Sequence, residues 1–320
     1  MPRRLTLVLL ALVLGRAAGA QADTMVVTLL GTGTPNPRID RLGPSTLVEA
    51  GGRRLVFDVG RGTTIRLEQA GVRSASVTAV FLTHFHSDHT NGLPDLWLTG
   101  WLPPLGGRAT PFRVVGPTGM RAMARGLEAA YAEDVRMRLA EERLPAAGIA
   151  MQVTEFAGDT TVFDEGGVRV TAFAVDHGEF LKPAVGYRVS YAGRSVVISG
   201  DTRYSENLVR RARGADLLLH EVAMAPAAML ALPPVRKIMS VHTSPEDAAR
   251  VFTQVRPRLA VFTHFALPPN RAGPSATPAD VLAAARRGYA GRMELGEDLM
   301  RITVGDSVVV RRVASPAERR

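Results

Sequence analysis

The six residues HFHSDH, 84–89, hold three of the chain's seven histidines and one aspartate. They follow directly on the apolar stretch TAVFLT, residues 78–83. Such a run reads as a β-strand ending in a tight loop, with the polar side chains gathered at its mouth. Imidazole nitrogen and carboxylate oxygen are the usual ligands of Zn²⁺. Four such groups cannot all reach one ion and leave room for their neighbours. The density therefore points to two adjacent ions, each taking part of the cluster. A chain built around this loop must bring further strand ends to the same place.

The rest of the sequence reads as a supply of strand ends. MVVTLLG (25–31) runs into a Gly-rich turn, and STLVEAGGRRLVFDVG (45–60) is a hairpin turning at Gly51-Gly52. RGTTIRLEQAG (61–71) is helical and stops at Gly71, FRVVGP (112–117) is a strand, and residues 118–142 are helical in more than one piece. The second half repeats the style. Strands within 151–201 are joined by glycine turns, and then SENLVRRARG (helix), ADLLLHE (strand), SPEDAARVFTQV (helix), PRLAVFTHF (strand) and TPADVLAAARRGY (helix) alternate. Ser244 with Pro245 and Asp247, and Thr277, are helix N-caps. Hairpins followed by strand–helix alternation, twice over, predict two sheets packed face to face with helices outside, in one domain. The GTGTP turn lacks the spacing and lysine of a P-loop, so Gly31 and Gly33 are read as letting the chain pass close beneath the metal site.

Composition narrows the setting. Arg3 and Arg4, the apolar run Leu5–Leu14 and the small residues Ala18-Gly19-Ala20 form a secretory leader pattern, too short for a membrane span of about 20 residues. The expectation is a leader at 1–20, one domain at 21–313, a basic tail at 314–320, a periplasmic or secreted location and no membrane anchor after cleavage. There is no cysteine, which excludes thiolate ligands, a cysteine nucleophile and disulfides. Removing three arginines of the leader from the formal charge of +9 leaves 36 basic against 30 acidic residues, or +6. This weakly favours a small anionic substrate. No stripe of basic residues alternating with aromatics is present, so specific nucleic-acid binding is not expected.

HFHSDH is the signature of the metallo-β-lactamase superfamily, and almost the whole chain beyond the leader resembles it. It is most similar to the branch of ribonuclease Z and related phosphodiesterases and zinc arylsulfatases. That similarity rests on residues 29–62, DHGEFLKPAVGYRV (176–189), SGDTRYSENL (199–208), LLLHEVAM (217–224), VHTSPEDAA (241–249) and LAVFTHF (259–265), which follow in the branch's order. The resemblance implies an α/β fold, the αββα sandwich of two mixed sheets. It also implies that His84, His86 and His177 hold one metal, that Asp88, His89 and His264 hold a second, and that Asp201 bridges them. Two Zn²⁺ per chain are expected, although the same ligands also take Mn or Fe. Asp58 resembles a supporting residue, a partner for a ligand imidazole or a loop amide. His242 is expected to act as general acid or oxyanion donor, and Glu221 to fix its tautomer. His220 reads as a strand-end residue behind the site.

The implied chemistry is hydrolysis of a phosphodiester or an aryl sulfate by a hydroxide bridging the metals, with Asp88 among the residues that set it in place. A lactone or other carboxylic ester is the alternative substrate, and a metal-dependent binding protein without turnover is the alternative class. The 24-residue gap between His177 and Asp201 leaves no room for the RNA-gripping arm of the transfer-RNA nucleases, which argues against that substrate. Trp97 and Trp101, four apart within the apolar segment 93–112, suit either a substrate lid or ordinary core packing. Dimerising relatives make a homodimer the expected assembly.

Overall fold

The computed structural model describes residues 23–103 and 107–312. The predicted leader and basic tail lie outside the described residues. The chain first lays down β1 (Met25–Gly31), β2 (Ser45–Ala50), β3 (Arg53–Phe57), β4 (Ala79–Phe81), β5 (Phe112–Pro117) and β6 (Met151–Phe156) as neighbours in one sheet. β1 to β3 are antiparallel, and β3 to β6 are parallel. The crossovers carry α1 (Thr63–Gln69), α2 (Ser87–Thr90), α3 (Leu93–Thr99), α4 (Met120–Ala130), α5 (Ala132–Glu141) and α6 (Ala146–Ile149).

A second sheet follows the same plan. β7 (Thr160–Glu165), β8 (Val168–Ala174), β9 (Val185–Tyr191) and β10 (Arg194–Ile198) are antiparallel, while β10, β11 (Leu217–Ala223), β12 (Leu259–Ala266) and β13 (Met293–Leu295) run parallel. Its helices are α7 (Glu206–Ala212), α8 (Pro233–Val241), α9 (Pro245–Val255) and α10 (Pro278–Arg286). The chain then returns to the first sheet, where β14 (Arg301–Val304) pairs with β1 and β15 (Val308–Arg311) closes the edge.

The strands alternate because one face of each sheet is buried against the other. Val27, Leu29, Val48, Phe57 and Phe81 meet Val170, Tyr187, Val189, Val196, Leu219 and Val261 in one core. Phe57 stacks on Phe81 with ring centroids 4.8 Å apart. Tyr187 spans the layers and donates its hydroxyl to Leu82 O at 2.6 Å, which satisfies the one polar atom it brings inside. On the outer faces, Met120 and Ala124 cover the first sheet, while Leu208, Phe252 and Val281 cover the second. This is the expected αββα sandwich. The caps also stand where expected: Ser244 Oγ accepts from Asp247 N at 3.1 Å, and Thr277 forms a capping box with Asp280.

Two features depart from the sequence reading. β4 is three residues long, because after Leu82 the backbone turns its hydrogen bonding to Asp58. The helix α8 and the strands β13 to β15 were not anticipated. Of the two readings left open for the tryptophans, core packing is the one found: Trp97 and Trp101 are fully buried in the first-sheet core, and their indole N–H groups donate to Ile149 O at 2.8 Å and Pro145 O at 2.9 Å. Gly31 is needed for close passage, as expected. A Cβ there would lie 1.9 Å from Gly43 O.

Candidate metal centre

The parallel strands of both sheets end at one place, and open α/β sheets characteristically bind ligands beyond the carboxyl ends of their strands. Asp58 follows β3, residues 84–89 follow β4, Asp201 follows β10, and His264 lies within β12 at φ +44°, beside a break in its register with β11. His177 follows β8. All seven residues expected as ligands converge. Their ligand atoms fall into one group of His84, His86, His177 and Asp201 and another of Asp88, His89 and His264, each within 4.8 Å internally. Asp201 joins the groups. Its Oδ2 is 3.8 Å from the Nε2 atoms of His84 and His177 and 3.3 Å from those of His89 and His264.

Neighbours fix which ring nitrogen faces inward. His89 Nδ1 donates to Asp58 Oδ2 at 2.8 Å, and His177 Nδ1 donates to Val241 O at 2.9 Å. His84 Nδ1 sits 3.0 Å from Thr83 Oγ1, whose hydroxyl donates to Asp58 Oδ2 at 2.8 Å, and Thr83 N donates to Asp58 Oδ1 at 2.8 Å. Asp58 therefore does both things expected of it, anchoring a ligand imidazole and a loop amide. The Nε2 atoms of these three rings are thereby turned toward the centre.

The electrostatics match a cation-binding cage. Burial and the neighbouring His89 hold His84 well below its ordinary pKa, and burial lowers His86 and His177 as well. Burial works to raise Asp201, but His264 and His89 outweigh it and keep the carboxylate well below its usual range. Neutral imidazoles at His84, His86 and His177 around an ionised carboxylate are the forms that ligate, whereas at His89 burial is outweighed by Asp201 and Asp58, which raise its pKa well above the ordinary value, so a metal there would displace its proton. His89 Nε2 is buried with no hydrogen-bond partner, between Asp88 and Asp201 at 3.5 and 3.3 Å. An orphaned buried nitrogen costs about 1–3 kcal/mol, and a divalent ion in this cage would remove that cost. The donor set fits one or more divalent metals.

His242 and Glu221 stand beside the cage. The His242 ring is 5.0 Å from that of His177 and 5.5 Å from that of His264. Its Nδ1 is 3.2 Å from Glu221 Oε1, an ion-pair contact too oblique for a hydrogen bond. Burial opposes the charged imidazole, but the adjacent Glu221 prevails and raises its pKa to about 9. Glu221 Oε1 also accepts from Thr202 N at 3.1 Å and Thr243 N at 3.0 Å, so the same carboxylate holds the turns carrying Asp201 and His242. His220 is buried behind the site, with Nδ1 on Glu221 O at 2.7 Å.

Residues missed by the sequence reading are Thr83, which relays Asp58 to His84, and Asp298. Asp298 accepts from Thr32 N at 2.9 Å, Thr32 Oγ1 at 2.8 Å, Leu42 N at 2.7 Å and Arg66 Nη2 at 2.9 Å. Thr32 O in turn accepts from Phe265 N, next to His264, at 3.2 Å. The sequence offered no local signal for a contact 266 residues apart.

This sandwich and cage define a class, the metal-dependent hydrolases of the metallo-β-lactamase fold, and the comparisons agree. Residues 53–265 match the beta-lactamase superfamily domain. The chain is 36% identical over 286 residues to ribonuclease Z of Mycobacterium sp. (strain KMS), covering 89% of this chain and 98% of that protein. It is 37% identical over 279 residues to ribonuclease Z of Mycolicibacterium paratuberculosis. Among solved structures, human tRNase Z, short form, superposes with a TM-score of 0.64 at 25% identity over 88% of this chain and 99% of that one. YhfI of Bacillus subtilis superposes with a TM-score of 0.66 at 17% identity over 88% of this chain and 100% of that one. The chain belongs to the metallo-β-lactamase superfamily and is closely related to ribonuclease Z.

That kinship overturns the expectation of no nucleic-acid partner. The relatives are nucleases by name, and the chain matches the mycobacterial one over 98% of its length. The expectation rested on a missing basic–aromatic stripe and a short 178–200 segment. Such a stripe serves to read bases or track a long backbone, whereas cleaving a phosphodiester requires only that the phosphate be held at the cage.

Proposed function

We propose that the protein is a dinuclear zinc phosphodiesterase whose substrates include RNA. The carrying observation is Asp201 Oδ2, set 3.3–3.8 Å from four histidine nitrogens of both groups. One carboxylate placed this way suits a shared ligand of two ions, with His84, His86 and His177 on one and Asp88, His89 and His264 on the other. When bound, the ions supply Lewis acidity toward the phosphoryl oxygens and activate water at neutral pH. The chain's own residues do the rest. Asp58, directly and through Thr83, and Val241 O orient the rings of His89, His84 and His177. His242, kept protonated by Glu221, faces the cage and gives its proton to the leaving oxygen or a hydrogen bond to a non-bridging one.

Kinship with ribonuclease Z favours phosphodiesters over aryl sulfates, and the burial of Trp97 and Trp101 removes the aryl-binding lid that favoured sulfate. We also propose that residues 1–20 direct export, so that a single catalytic domain, 21–313, acts outside the cytoplasm. Cell fractionation with N-terminal sequencing of the recovered protein checks this, and recovery of the intact chain from the cytosol would refute it. The activity test sets bis(p-nitrophenyl) phosphate and a 3′-extended RNA beside p-nitrophenyl sulfate, using the zinc-loaded protein and Asp201→Ala as blank. Phosphodiester turnover above the blank is expected. Sulfate turnover alone would overturn the reading.

A further inference from the structure

Only two of the 39 basic residues are lysines, Lys182 and Lys237. Although 55 positions apart, they lie on two segments that meet at Val241, whose carbonyl accepts from the ligand His177. Lys182 lies on the loop leaving His177, and its charge acts on Asp176. Lys237 lies on α8, one turn before Val241, on the exposed flank of the helix beside that buried residue. Val241 is the contact between the two elements: its carbonyl accepts from His177 Nδ1 at 2.9 Å, and a Cβ on Gly178 would lie 2.9 Å from its Cγ1. Both lysines are exposed, and among the described residues neither makes an ion pair. Arg203 is instead bound to Asp176 at 2.8 Å. Phe180 stands between His177 and Lys182 and is 84% exposed, a large apolar ring held in water beside a charged rim. Glu179 and Arg236 are the other exposed charges here, so the rim is net positive.

Resting on the phosphodiesterase reading, we propose that Phe180, Lys182 and Lys237 seat the single strand of RNA next to the scissile linkage. A compact ammonium meets phosphate oxygen as a point charge. An exposed ring stacks on any base without regard to sequence. Together they would hold a polyanionic strand along α8 while its phosphodiester lies at the cage, whereas a small diester would not reach the rim.

The scarcity of lysine makes the test direct, because acetylation of the folded protein can mark only these two side chains and the N-terminal amine. A short phosphorothioate RNA is expected to protect both lysines in the zinc-loaded protein. Lys182→Gln with Lys237→Gln should weaken that RNA about tenfold and lower the slope of log affinity against log salt by about 1.4. Phe180→Ala should weaken it without changing the slope. None of these changes should alter turnover of bis(p-nitrophenyl) phosphate. Absence of RNA binding, equal acetylation with and without RNA, or an unchanged salt slope in the double variant overturns the proposal. If bis(p-nitrophenyl) phosphate is not hydrolysed, the phosphodiesterase reading fails separately, and lysine protection still decides whether the rim binds RNA.

Discussion

Asp88, His89 and His264 are buried on every side, whereas His86 in the adjoining group is partly exposed. The buried group leans directly on an anion, through His89 Nδ1 and Asp58 Oδ2. The more open group leans on neutral partners, a threonine hydroxyl for His84 and the Val241 carbonyl for His177. A carboxylate behind an imidazole raises its basicity more than a carbonyl does. The enclosed group is therefore built for tight retention. The open one borders α8 and the loop leaving His177, through the His177–Val241 contact.

Asp201→Ala should erase the distinction, because both groups lose their shared oxygen. Metal content falls, and turnover of bis(p-nitrophenyl) phosphate drops on the order of 10³-fold or more. Elemental analysis beside kinetics checks both halves of that outcome. His242→Ala should leave metal content intact and slow turnover about 100-fold, with a larger loss for diesters whose leaving group is a poorer acid. An equal loss for all leaving groups would restrict His242 to oxyanion contact. Asp58→Asn sharpens the comparison most. Chelator competition should show metal affinity of the enclosed group falling about 10–100-fold, with a smaller loss at the open one, which Asp58 reaches only through Thr83.

The smallest effect is read in the metal-free protein. The His242 pKa is raised from 6.5 to about 9, so its pairing with Glu221 stabilises the fold fully below pH 6.5 and loses that contribution as pH rises through about 9. Glu221→Gln keeps an acceptor for Thr202 N and Thr243 N but removes the charge. The stability gap between wild type and variant, from urea unfolding, should therefore narrow between pH 6.5 and 9. A gap independent of pH would mean that Glu221 acts through the backbone amides alone.

The cluster at 84–89 was legible from residue type and position after a strand, whereas His177, Asp201 and His264 were identified through the family resemblance, and each does sit at or near a strand end. Asp58 was likewise identified through the resemblance. Helix α8 was not, since it opens on Pro233-Pro234, carries Arg236, Lys237 and Ser240 outward, and buries only Val235 and Val241. A surface helix with so few core positions leaves almost no periodic signal. The tryptophans stayed open between lid and core because the acceptors of their N–H groups lie 52 and 44 residues away. A Trp stripe looks the same in sequence whether it faces a ligand or a core. β14 and β15 were missed because strands of only four residues differ little from loop in sequence.

The ligands run from His84 to His264, drawn from both sheets and from four separate strand ends. No stretch shorter than residues 84–264 contains the cage, so an unfolded polypeptide cannot hold ions in this arrangement. A divalent metal can seat only once both sheets have closed on each other. The ions present at that moment, as much as the ligands themselves, then decide which metal the cage takes.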